Sequence, residues 1–348
     1  MKLIRRSTIV ALVGFLAICS TVEAIAQDRV FLKQGTPVQG SISKLTPAEV
    51  VIAVRGKDQT HSLKDVKKVT FDKEPAALDR ARDMANDGKF SQAIELLRTL
   101  QRDSLPDNPL IRQDYEFYYW YSEGSRSLAG SGDQTAAIKG LMGFDKAHPE
   151  SHHRYSVKTL LGRLAVSKSA LDKAVEYFSD LGKSVDDATR ASGIYYLARV
   201  RLEQGKPEEA RSQLKSLLSV NATSPEMGRV KSLSAVLDAR CDIELGNAES
   251  AIQALDALAM REDNSDFLLF AEINNARGAA YLKLNDHQRA AYSYLQTDLL
   301  FFTDPESHAE ALYHLKNLLV SVGQPAKAAD ASQRLAQQYA SSAWANRK

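Results

Sequence analysis

Asp87-Gly88-Lys89-Phe90-Ser91-Gln92-Ala93-Ile94-Glu95-Leu96-Leu97 reads as a tight turn that opens an amphipathic helix, and its key residues return through the chain. Gly88 and Ala93 recur, five residues apart, as Gly132 and Ala137, Gly205 and Ala210, Gly246 and Ala251, and Gly323 and Ala328. Two further units keep the alanine, at Ala174 and Ala290, and place Ser169 and Asn285 where the glycine would be. The alanines step by 44, 37, 36, 41, 39 and 38 residues, a period that belongs to stacked helix pairs.

The apolar spacing around this stretch supports the same reading. Leu78, Ala81, Met84 and Ala85 share one helical face, and Phe90, Ala93, Ile94, Leu97 and Leu100 share another. The glycine sits where the first helix must stop and the chain reverse, a left-handed position for which asparagine is the second choice; Ser169 predicts a different turn. The alanine falls where the two helices cross closely, so a larger side chain there predicts overpacking.

These residues resemble the tetratricopeptide repeat. A small residue midway through the first helix is matched by Ala81, Ser125, Gly162, Ala198, Ala239 and Gly278. The large apolar residue four places after the alanine is matched by Leu97, Leu141, Phe178, Leu214, Leu255 and Tyr294, and Pro149 stands where that repeat ends a unit. The last unit departs, with Lys316 and Ser332 at the two places, and the units exceed the family's usual length, which implies longer helices or loops. The resemblance covers about residues 74–345 and implies a mainly α fold, an α-solenoid of about seven helix pairs over 74–348. Such a stack presents a surface for a protein or peptide partner. The ending Leu335 to Ala345 is similar to the closing segment of repeats in exported envelope-assembly proteins, with Ala340 where those carry proline.

Ahead of the helices, Val30–Leu32, Val38–Ile42, Val50–Val54, His61–Leu63 and Val66–Phe71 are short β-rich runs separated by Gly- and Pro-containing turns. They predict a small antiparallel β-module over 27–73, whose opening is similar to Sm-like and SH3-like small barrels. A segment this small leans on its neighbours for stability, and it reads either as a binding module or as a cap on the solenoid.

The start, Met1 to Arg6 with three basic residues, an apolar run from Ile9 to Ile18 and Ala24-Ile25-Ala26, has the form of a secretory signal peptide over 1–26. A periplasmic or secreted protein is the expectation. The run is too short to span a bilayer. Leu16-Ala17-Ile18-Cys19 has the outline of a lipobox, but Ile18 stands where that motif wants Gly or Ala, which argues against anchoring at Cys19. Beyond Ala26 only Cys241 remains, so stability rests on packing rather than on an intrachain disulfide. Basic and acidic residues then balance at 42 each, and no basic run occurs, which speaks against a general nucleic-acid role.

One place after the small residue, in five successive units, stands Arg82, Arg126, Arg163, Arg199 and Arg240. In the resembled register this row lines the concave face, where planar guanidinium forks suit the carboxylates of an acidic or extended peptide. Tyr119, Tyr195 and Tyr313 are the companion candidates for stacking against it. Ion pairing within the array is the competing reading, since Glu203 and Glu244 lie four residues after Arg199 and Arg240. Enzyme chemistry finds little support: no nucleophile elbow, phosphate loop or Cys-x-x-Cys is present, and no cofactor is implied. His148, Glu150, His152 and His153 cluster without the spacing of a helical zinc motif, so no metal is expected from the sequence.

Overall fold

The computed structural model describes residues 27–347. Residues 1–26, read above as a signal peptide, and with them Cys19, lie outside the described residues.

Five strands form one open antiparallel sheet: β1 (Asp28–Leu32), β2 (Val38–Leu45), β3 (Glu49–Val54), β4 (Lys57–Ser62) and β5 (Val66–Thr70). Their order is β4-β3-β2-β1-β5, so the last strand returns to the free edge of the first. Alternation along the strands sends Val30, Val50, Ile52 and Val69 inward, and with Phe71 they share one core with Leu78 and Ala81 of the first helix. The β-module is thus packed on the helices without a separate core.

Helices follow in pairs: α1 (Ala76–Asn86) with α2 (Phe90–Arg98), α3 (Pro109–Leu128) with α4 (Gln134–Ala147), and α5 (Arg154–Ser167) with α6 (Leu171–Asp180). The fourth and fifth units are α7 (Asp187–Glu203) with α8 (Pro207–Ser219), and α9 (Pro225–Glu244) with α10 (Ala248–Arg261). The last two are α11 (Phe267–Lys283) with α12 (His287–Leu300), and α13 (Pro305–Ser321) with α14 (Pro325–Gln338). The described residues therefore form an α-solenoid of seven helix pairs behind the sheet, as the sequence predicts. Helix starts carry the expected chemistry: the side chains of Asn108, Asp133, Asp186, Ser224, Asp266, Asp286 and Asp304 accept from backbone N–H groups of the first turn. The unit length is explained by first helices as long as 20 residues in α3 and α9.

All seven within-unit turns have one geometry. The residue after the helix cap bonds back three positions and the next bonds back five, as in Gly88 N–H to Ala85 O and Lys89 N–H to Met84 O. Ser169 and Asn285 occupy this place at φ 56° and 59°, beside glycines such as Gly205 at 72°. Ser169 therefore does not make a different turn; the helix ends force the left-handed residue whatever its side chain. The second unit shares the geometry but not the expected residue. There the paired bonds run from Gly130 N–H to Ser127 O and from Ser131 N–H to Arg126 O, so Gly130, not Gly132, is the equivalent of Gly88. Two extra residues precede α4.

Packing between the paired helices follows a size rule. The recurring alanines are buried in every unit. A Cβ on Gly162 would meet the Phe178 ring at 2.3 Å, and one on Gly278 would meet the Tyr294 ring at 2.5 Å. In these two units glycine in the first helix goes with an aromatic in the second, while Ala81, Ala198 and Ala239 go with leucine. In the last unit Lys316 stays partly exposed, its ammonium 4.4 Å from the Tyr313 ring centre, and Ser332 is exposed.

The array curls until the end of its last unit touches the second unit. Gly130 lies so close to the Gln338–Tyr339 backbone that a Cβ there would meet Tyr339 Cα at 2.4 Å, and Ser341 Oγ donates to Ser127 O at 3.3 Å. One turn of superhelix therefore encloses a central space, and the segment Ser341–Arg347 lies along one side of it.

Candidate functional site

The arginine row divides once the helices are in place. Arg82, on α1, is 2% exposed. Its two Nη atoms bind Glu74 in a fork at 3.0 and 2.7 Å, Nη1 reaches Asp79 at 2.8 Å, and Nε and Nη2 reach Asp114 of α3 at 3.3 and 2.9 Å. Every donor direction is taken. Arg82 is a buried tie between the β-module hinge, α1 and α3, and it does not face the groove. Burial alone would lower its pKa; the hydrogen-bonded Glu74 and the charge of Asp114 override that and raise it. Arg126 also leaves the row. Counted from Gly130, it stands two places later than the other four, and it pairs with Glu123 at 2.7 Å beside Gly132.

Arg199 and Arg240 do reach the central space, and Arg163 meets its edge through Glu306. Their partners are not the residues four positions later. Arg163 holds Glu306 at 2.6 Å, and Arg240 holds Glu310 at 2.9 Å and Glu272 at 3.1 Å. The Arg199 guanidinium lies 3.9 Å from Glu272, beyond hydrogen-bond distance. Glu244 instead pairs with Lys283.

The central cavity, of about 800 Å³, is lined by Tyr195, Arg199, Arg240, Glu272, Glu310 and Trp344 among others. Tyr195 is largely buried beside Arg199. Tyr313 lines an adjoining cavity with Arg240 and packs 5.4 Å from the Trp344 ring centre. Tyr119 stays with Trp120 on α3, edge-on at 5.0 Å, away from this space. The structure therefore brings together Arg199, Arg240 and Tyr195, with Arg163 and Tyr313 at the margins, and separates Arg82, Arg126 and Tyr119 from them.

Sequence reasoning missed the acids Glu272, Glu306 and Glu310. A signal was present: Glu272 and Glu310 each stand thirteen residues before the turn residue of their unit, Asn285 and Gly323. The arginine position in those same two units holds Ala279 and Asn317. The arginines end where the acids begin.

Other candidate groups resolve as follows. The histidine cluster splits: His148 packs on Phe144, Glu150 is exposed, and His152 and His153 turn inward to Asp114. Cys241 is buried, and burial pushes its thiol up to about 12, so neighbouring Arg240 does not activate it. No helix of the described residues is long and apolar enough to cross a membrane.

A tetratricopeptide repeat profile matches residues 193–224, which cover most of α7 and all of α8. The array is tetratricopeptide-like. Among solved structures, this tetratricopeptide-like chain is similar to a Rap protein complexed with competence and sporulation factor, at 12% identity over 77% of this chain and 76% of that one, TM-score 0.53. It is also similar to a tetratricopeptide repeat protein from Parabacteroides merdae ATCC 43184, at 14% identity over 75% of this chain and 91% of that one, TM-score 0.49. A third is NprR in complex with its cognate peptide NprX, at 15% identity over 78% and 80% of the two chains, TM-score 0.47. No curated protein matches the sequence.

Proposed function

We propose that this tetratricopeptide-like chain is an exported binding scaffold of the cell envelope, and that its central cavity takes an extended segment of a protein partner. One observation carries the reading: the Arg199 guanidinium faces the cavity beside Tyr195 without a hydrogen-bonded carboxylate of its own. A preformed fork of donors next to an aromatic wall favours a peptide carboxylate, and the rigid helices around it lower the cost of ordering the chain that brings it. The similar Rap protein, solved with competence and sporulation factor, supports the use of such a fold for recognition. Export is read from the first 26 residues, and the mass of the mature N-terminus measured from the native host tests it directly.

The test of binding is capture of envelope partners by the full chain and by Arg199→Ala, with crosslinking to map the contact. Loss of capture in Arg199→Ala, with folding retained, supports the cavity. The alternative is that the β-module binds and the repeats act as a spacer. Deleting the module would strip the core around Leu78, so reversal of exposed β4 residues such as Lys57 and Asp58 is the better probe. Capture that survives Arg199→Ala and is lost on that reversal overturns the cavity reading.

A further inference from the structure

We propose that Asp114, His152 and His153 form a binding site for a borderline divalent metal ion, zinc in the first place. None of these three residues lines the arginine cavity, and the site plays no part in the proposed peptide recognition.

Asp114 stands in the first half of α3, and the two histidines in the turn that leads into α5. Both imidazoles aim the same atom at one carboxylate oxygen: Asp114 Oδ1 is 2.9 Å from His153 Nε2 and 3.5 Å from His152 Nε2. All three donor atoms lie within 4.8 Å of one another. A tetrahedral zinc ion about 2.0–2.1 Å from N and O ligands needs its donors roughly 3.3–3.4 Å apart. The two carboxylate–imidazole separations bracket that value and the imidazole nitrogens lie within 4.8 Å of each other, so small side-chain shifts admit the ion.

Charge and donor type point the same way. Two buried carboxylates, Glu74 and Asp114, face the single buried guanidinium of Arg82, so the cluster carries a negative excess. Asp79 adds to it from the rim, where Lys68 offsets it. Asp114 spends only Oδ2 on Arg82 and leaves Oδ1 for the histidines. Two imidazole nitrogens and one carboxylate suit zinc or cobalt rather than calcium or magnesium. Three protein ligands leave a fourth position. His152 also lines a cleft of about 1140 Å³ between the β-module and α5, α7 and α9, which supplies the water or anion for that position. A bound ion would join α3 to α5 beneath the sheet.

The experiment strips the purified full chain with a chelator, dialyses it against zinc or cobalt, and counts bound metal by mass spectrometry. One equivalent per chain is expected, with the visible absorption of four-coordinate cobalt. His152→Ala should weaken uptake at least tenfold, and His148→Ala should leave it unchanged. Circular dichroism checks that each variant is folded. No stoichiometric uptake by the unmodified chain overturns the site, whatever the variants do. Uptake that His152→Ala leaves intact overturns it as well, because the metal then lies elsewhere.

Discussion

Arg82 and Arg199 hold the same place in their repeats, six residues before the turn, and meet opposite surroundings. Arg82 is sealed by Glu74, Asp79 and Asp114, all from the hinge and the first two units. Arg199 opens on a cavity where Glu272, Glu306 and Glu310 of the sixth and seventh units are brought to it by the turn of the superhelix. Position within a repeat sets the direction of a side chain. What it meets depends on how far the array has curled.

The largest test of that contrast is Arg82→Met. It leaves two buried carboxylates without their cation, and a loss of about 3–5 kcal/mol is expected in urea unfolding. A loss below about 1 kcal/mol would show that the network is not sealed.

Acid should separate the two regions next. Burial lowers the pKa of His314, which faces Glu310, Arg240 and Arg347 at the far side of the array, to about 4. Its ordinary value lies near 6.5, so between these pH values the unfolded chain binds a proton that the folded chain does not. Stability therefore falls as pH drops from about 6.5 to about 4, by at most roughly 3 kcal/mol. His314→Gln should flatten that segment of the stability profile. In the Arg82 network burial would raise the Asp114 pKa, but His153, His152 and Arg82 together hold it well below the usual carboxylate range.

The shared register is tested by Gly278→Ala, which drives a methyl group into the Tyr294 ring and should cost about 1–3 kcal/mol. An unchanged melting curve would break the size rule between paired helices. Smallest in stability is Arg199→Ala, expected within about 1 kcal/mol because no carboxylate is left unpaired by it. Its effect should appear in binding instead, as at least a tenfold loss, by roughly 1.4 kcal/mol or more. A stability loss as large as that of Arg82→Met would mean that the two arginines do the same job.

Much of the fold was legible because helical periodicity and left-handed turns are local properties. The seven pairs and the β-module follow from residues close together in the chain. Two errors of register show the limit. Ser169 reads as a departure but takes the same turn, since the hydrogen bonds closing the helix outweigh the side-chain preference. Gly132 reads as the turn residue, yet Gly130 makes the turn, and this displaced Arg126 from the row. For the site, Arg199, Arg240 and Tyr195 were found together, and Arg82 and Tyr119 were not.

By itself the sequence determined the repeat, the placement of arginines along its first helices and the small β-rich start, because each depends on contacts a few residues apart. Only the tertiary structure decided that Arg163 meets Glu306, 143 residues away, and that Asp114 lies between Arg82 and two histidines. Those contacts depend on the summed rotation of successive units. A small change in each unit's tilt would move the far partners by many ångströms while leaving every local pattern as it is.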